Sequence, residues 1–360
     1  MNATDIVNIR LANHQLAVTK FKKAKDIVSW MGVMQSQDYN MAKWAIGIRL
    51  PGATEKTIEA AIHKGEIIRT HLLRPTWHFV SPDDIHWMLD LSAPKLKASL
   101  KARHKELELT EAVRKKSNTL FENALTKNGH LTRDELVTVL KNAKIAVDNN
   151  RSSHLFLWAE LEGIICSGSL KEQQPTYALL NEWVPKKKTY HRKEAIAELA
   201  HRYFNSHAPA TLKDFIWWSG LNITEAREGM EAIKDQFVAE KIQSHTWWLP
   251  DSFIIPPKKQ SVYFIPAYDE YIIGYTDRSP IIPVTNQKKA ISNNGLFRPV
   301  ILINGKAMGV WKRTIKKDTI IIETQYFETP PKSKKVIEQA ATAYGHFMGR
   351  KTEIVRGIAE

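Results

Sequence analysis

The chain has 360 residues, too many for one compact core and enough for roughly two to four small domains. Its 52 Lys and Arg against 38 Asp and Glu leave a net charge of +14, which favours a polyanionic partner such as duplex DNA, because phosphate neutralisation releases counterions. The single cysteine, Cys166, excludes an internal disulfide and a cysteine zinc site, and no apolar run has the length of a membrane span.

In chain order, an amphipathic stretch with Ile27, Val28, Trp30 and Met31 leads into Gln35-Ser36-Gln37-Asp38. Two glutamines at i and i+2 share one face of extended chain, so their amides converge if the helix ends near Met34. A surface or helix-capping role is the plainer alternative. A helical stretch from Thr57 to Lys64 then ends at Gly65, followed by extended Ile67–Thr70 and a return on Thr76-Trp77-His78-Phe79-Val80.

The same plan recurs. Thr132-Arg133-Asp134-Glu135 is a capping-box pattern ahead of Leu136, Val139 and Leu140. A helix over Ser153–Glu162 ends at Gly163, Ile164–Ser167 reads as strand, Lys171–Pro175 as a polar tip, and Thr176–Leu180 as the return. In the third copy, Thr211 with Asp214 opens a helix through Trp217-Trp218, and Ser219-Gly220-Leu221 turns the chain. Asn222 or Thr224 caps a helix read as Thr224–Val238, with Lys241–Gln243 and Thr246–Leu249 as the ribbon. Helix, turn, helix and a ribbon whose second strand begins with Thr-aromatic is the plan of a winged helix-turn-helix.

After Pro250 the pattern becomes extended, with strands expected at Val262–Ile265, Ile281–Val284, Val300–Ile303, Val310–Arg313 and Thr319–Glu323. Asn304-Gly305 suits a two-residue hairpin turn. Pro330-Pro331 ends the strands before an amphipathic helix from about Lys332 to Met348. The fold class expected is therefore α+β. Three tandem winged-helix units (1–105, 106–188 and 189–252) precede a small β-barrel with a C-terminal helix (253–360).

The polar candidates each carry two readings. Arg74 and His78 flank the first ribbon, as DNA contacts or hairpin stabilisers. Arg151, Ser153 and His154 open the second unit's long helix, where backbone N–H groups favour a phosphate but a plain N-cap serves as well. Lys312 and Arg313, with Lys316 and Lys317, make one ribbon end positive, either for phosphate or as a solvated edge. Asp269 or Glu270 with Arg278 suggests a buried acid–Arg pair ordering the barrel. Trp217, Trp218, Trp247 and Trp248 read as core, and Cys166 as a buried spectator thiol. No histidine cluster has metal-ligand spacing and no glycine loop suits a nucleotide, so neither metal nor cofactor is expected.

Taken together, Arg10-Leu11, Gln35-Ser36-Gln37, Arg74–His78, Ala159–Gly168, Asp214–Leu221, Tyr268–Tyr271 and Phe297-Arg298-Pro299 resemble the AlkZ/YcaQ-like winged-helix DNA glycosylases, closer to the AlkZ branch. The resemblance implies tandem winged helices and a β-barrel around a concave DNA channel, and hydrolytic release of N7- or N3-alkylated purines, including bulky or crosslinked adducts. It implies Gln35 and Gln37 as the catalytic pair, matching the Gln-Φ-Gln form (Φ hydrophobic) of that branch. Ser36 departs from the hydrophobic middle position. The alternative is a non-enzymatic regulator or lesion sensor. A monomer working on double-stranded DNA, cytoplasmic and nucleoid-associated, is expected under the enzymatic reading.

Overall fold

The computed structural model describes residues 2–172, 174–185, 188–242, 245–253, 260–328 and 334–357. These fall into two compact units, one formed by Met1–Glu59 with Ala197–Glu360 and the other by Ala60–Ile196. The fold class is α+β.

In the second unit the chain runs through helix Glu111–Asn128, strand Leu131–Thr132, helices Arg133–Asn142 and Arg151–Leu161, and a hairpin of Ile165–Ser167 and Thr176–Leu179. The returning hairpin strand lies in the middle of a three-stranded antiparallel sheet, pairing Leu131 with Tyr177 and Ile165 with Leu179. The recurrent Thr-aromatic pair has a packing reason: Tyr177 lies 4.7 Å from the Phe156 ring, which is itself 4.8 Å from Phe121. The expected capping box is present, with the Thr132 side chain accepting from Glu135 N–H and the Glu135 carboxylate accepting the Thr132 N–H in return. The hairpin of Ile68–Leu72 with Thr76–Val80 belongs to this unit, and Trp77 packs on its cross-strand partner His71 at 4.0 Å.

The first unit repeats the helix–helix–hairpin order in Leu212–Ser219, Ile223–Ile233, Phe237–Ile242 and His245–Pro250. Thr211 and Asn222 cap the two helices, each with a capping box, and Gly220 terminates the first at φ 71°. The second helix stops five residues before the expected end. Phe237 and Val238 belong to the strand, pairing with Pro250 and Leu249, and Phe237 is buried there. Gln243 lies outside the described residues.

The remaining sheet has five strands, Val262–Ile265, Val300–Ile303, Lys306–Ile315, Thr319–Tyr326 and Lys351–Arg356, in that spatial order. Asn304 and Gly305 turn its hairpin at φ 51° and 76°, as expected from their left-handed preference. A Cβ on Gly305 would sit 2.2 Å from Val7, so only glycine fits. The sheet is open, which corrects the expectation of a barrel. Its last strand returns parallel to Thr319–Tyr326, and such a return needs a crossover. The helix Lys334–Met348 supplies it, packing against the first and last strands. The expected strand at Ile281–Val284 is absent; Ile281 and Ile282 are buried in a turn that precedes the helix Val284–Ala290. Pro330 and Pro331 lie outside the described residues.

Candidate active site

The helix holding Ile27, Val28 and Met31 ends at Met31, and Val33–Gln35 is already strand. Gln35 is therefore extended, as convergence of the two amides requires. Ser36 is fully buried, whereas Gln35 is half-buried and Gln37 exposed. The strand ends at Gln35, and Gln37 lies in the bend that follows, so burial rather than strand geometry separates Ser36 from the two glutamines. Beyond them Asp38 accepts the Met41 N–H at 3.0 Å and caps helix Tyr39–Gly47, so its carboxylate is committed to the helix end.

Behind the glutamines stands Glu270. Its Oε1 accepts the Gln35 backbone N–H at 2.8 Å and its Oε2 accepts the Trp218 indole N–H at 3.0 Å. Asp269 caps the short helix Glu270–Ile273 and receives a bidentate pair from Arg49 at 2.7 Å, with both side chains fully buried. The acid–Arg pair expected from the sequence exists, but its cation is Arg49. Arg278 instead donates to the carbonyls of Ile272 and Thr276. Sequence spacing could not find this pair, since its members are 220 residues apart.

Around Glu270 the buried groups form a tight cluster. His207 Nε2 lies 3.6 Å from Glu270 Oε2, longer than a hydrogen bond, and His14 Nε2 contacts the Tyr275 hydroxyl at 2.7 Å. Burial depresses the pKa of both histidines; at His14 the neighbouring His207, Arg49 and Arg10 push the same way, whereas at His207 the Glu270 carboxylate opposes it. Burial likewise pushes Tyr275 and Tyr271 upward and keeps their hydroxyls protonated. A Cβ on Gly274 would sit 2.6 Å from His207, which is why the chain closes over the cluster at a glycine. Tyr268, at φ 58°, has its phenol pKa raised by burial and then by Asp38.

The other expected contacts distribute unevenly. Lys312 is exposed and 3.5 Å from Glu323, whereas Arg313 is half-buried and donates to the Tyr344 hydroxyl and to Met41 Sδ at 3.2 Å. In the second unit, Arg74 sits in the hairpin turn. His78 is fully buried, with Nδ1 2.9 Å from the Thr76 carbonyl. Arg151 donates to the carbonyls of Leu107 and Ala146, and exposed Ser153 accepts from Arg133 at 3.0 Å. His154 is half-buried with its pKa lowered by burial and then by Arg103, and the cap of its helix is Asn150. Trp218 and Trp247 are core as expected and Trp248 is half-buried, but Trp217 is 46% exposed. Cys166 is buried, with its thiol pKa raised. No helix of the described residues is long and apolar enough to cross a membrane.

Comparison with known proteins agrees with this architecture. The sequence model of a family described as DNA glycosylase AlkZ-like matches residues 28–347. An interstrand DNA cross-link repair glycosylase of Streptomyces sahachiroi is 21% identical over 347 residues, covering 88% of this chain and 89% of that protein. The solved structure of the Streptomyces sahachiroi DNA glycosylase AlkZ superposes with a TM-score of 0.81 at 17% identity, over 99% of this chain and 100% of the other.

Proposed function

Since the chain belongs to the AlkZ-like DNA glycosylase family and is a DNA repair glycosylase, we propose that it hydrolyses the N-glycosidic bond of N7- and N3-alkylated purines, bulky or crosslinked adducts included, with Gln35 and Gln37 as its reacting-site pair. The observation that carries this reading is the alternation at Gln35-Ser36-Gln37. A fully buried serine is flanked by two more accessible amides, on a strand end pinned by Glu270.

The chemistry suits an uncharged pair. As the C1′–N bond breaks, its electron pair stays on the purine and an oxocarbenium-like sugar develops. An N7- or N3-alkylated purine is already cationic, so it leaves as a neutral base without protonation. Water adds to C1′ and releases its proton to solvent. An amide oxygen orients that water and stabilises positive charge, but is too weak a base to drive excision of ordinary purines. No metal or cofactor enters this scheme.

The three helix–helix–hairpin segments, within 1–105, 106–188 and 189–252, are read as winged-helix units that hold duplex DNA, and the protein as a nucleoid-associated monomer. Arg74, His78, Arg151, Ser153, His154, Lys312 and Arg313 remain candidates for DNA contact under this reading. The test is release of N7-methylguanine from duplex DNA in single-turnover assays. Replacing Gln35 and Gln37 together by Ala should abolish release while leaving undamaged-DNA affinity nearly intact, since neither residue is charged. Excision at the parental rate by that variant refutes the assignment.

A further inference from the structure

The sequence reads Trp217 as core, yet the ring is 46% exposed and held in place. Its indole N–H donates to the Ile273 carbonyl at 2.9 Å, which fixes a large apolar side chain at the surface. The Arg278 guanidinium lies 5.7 Å from that ring and 5.1 Å from the half-buried Phe297. Phe297 in turn stands 6.1 Å from the half-buried Tyr268. Arg278 is anchored by the carbonyls of Ile272 and Thr276. Three rings and one guanidinium thus form a contiguous strip.

The strip is built around the element that anchors Gln35. Tyr268 precedes Glu270 by two residues, and Glu270 accepts the Gln35 N–H at 2.8 Å. Ile273, which holds the Trp217 indole, ends the same short helix. After burial, Asp38 is the second cause of the raised Tyr268 phenol pKa, which sets that ring near the glutamine segment. Cations flank the strip: Lys213, one turn before Trp217 on its helix, and Arg298, next to Phe297, are both exposed. The exposed acid beside it, Asp277, accepts the Ser279 N–H. Aromatic faces interleaved with cations suit nucleobases that have left the stack, whose own faces alternate with phosphates. A fully paired duplex has no free base faces to offer.

We propose that this strip binds unpaired nucleobases of the DNA strand beside the lesion, stacking them on Trp217, Phe297 and Tyr268. The protein then favours damage next to single-stranded or frayed DNA over the same damage deep inside a duplex. The strip acts in binding and leaves the bond-breaking step to the glutamine pair. This proposal rests on that pair being the reaction site.

The test uses two undamaged partial duplexes that end in an unpaired arm of about six nucleotides. One arm carries thymine bases and the other abasic tetrahydrofuran units. Both present the same phosphates, so only base faces distinguish them. The parent protein should bind the thymine arm at least about tenfold more tightly by fluorescence anisotropy. With N7-methylguanine placed beside the arm, kcat/KM should rise by the same factor while the saturating single-turnover rate stays level. Trp217→Leu/Phe297→Leu should bind the two arms alike and keep its affinity for blunt duplex. Trp217→Phe/Phe297→Tyr retains the rings and should retain the preference. Equal parental affinity for the two arms overturns the proposal and leaves the strip to a protein surface, and this result needs no variant to fold. A preference that survives in Trp217→Leu/Phe297→Leu overturns it too, as does its loss in the ring-retaining variant. The arm measurements involve no excision, so the two readings fail separately. Parental excision by Gln35→Ala/Gln37→Ala sinks the site assignment, whereas a dead glutamine variant with equal arm affinities removes only the strip.

Discussion

Ser36 shows how one side chain can depart from a motif without disturbing it. The Gln-Φ-Gln pattern carries a hydrophobic residue where this chain has serine, and the position is fully buried. The inward direction is kept while the side chain shrinks. The residue scale also separates the two roles open to Gln37. An acid there can still hold water and stabilises positive charge more strongly, so Gln37→Asp should retain more N7-methylguanine release than Gln37→Ala in parallel single-turnover assays. Equal loss in both would mean that only the amide N–H donors matter. Arg49 gives a stability prediction of another kind. Removing it strands Asp269 in the interior, and Arg49→Leu should cost about 3–5 kcal/mol by chemical denaturation. A loss under 1 kcal/mol would mean that water or another cation reaches the carboxylate.

Among the elements, helix starts illustrate how local chemistry decides what a residue does. Thr132 and Ser153 both precede or open helices in the same segment, and both carry a hydroxyl. Only Thr132 caps, in a reciprocal box with Glu135, whereas the Arg151–Leu161 helix begins after Asn150 with no side-chain cap. Thr132→Ala should therefore lower stability by about 1 kcal/mol, and Ser153→Ala by less than about 0.5 kcal/mol. Urea midpoints measured on the two variants check this, and a reversed order would contradict the cap assignment. The open five-stranded sheet follows similar logic. Once the last strand joins parallel, its connecting helix has to lie on one face of the sheet.

For the molecule as a whole, the excess of 14 positive charges predicts DNA affinity that falls steeply and linearly in log–log salt titrations, with little dependence on sequence. Affinity unchanged between low and moderate salt, or tight preference for one site, would speak against a damage-searching enzyme. Acid should weaken the fold through its histidines. His14 and His207 are lowered by burial, and His104 is lowered to about 4 by burial and Arg114. Their folded pKa values lie below those of the unfolded chain, so as pH falls through about 6.5 the unfolded state takes up protons that the folded state refuses. Stability should be full above that pH and decline from about 6.5 towards 4, seen as a falling urea midpoint between pH 7.5 and 5. An unchanged midpoint would mean that these imidazoles protonate in place.

Much of this was legible in the chain itself. Capping boxes, the Asn304-Gly305 turn, the repeated ribbons and the end of the helix before Gln35 depend on residues within a few positions of one another, where sterics and hydrogen bonding act locally. The motif stretches also carried the family. What the sequence left undecided or misread depends on long-range contact: the partner of Asp269, the burial of His78, Trp217 read as core but exposed, and the helix read to Val238 that ends at Ile233. Apolar periodicity reads Ile281–Val284 as strand as readily as buried turn, and only the packing around Ile281 and Ile282 chose between them. Glu270 is the clearest case. Nothing near it in sequence marks it as the anchor of Gln35, because the hydrogen bond joins residues 235 positions apart, and the fold had to form before the two could meet.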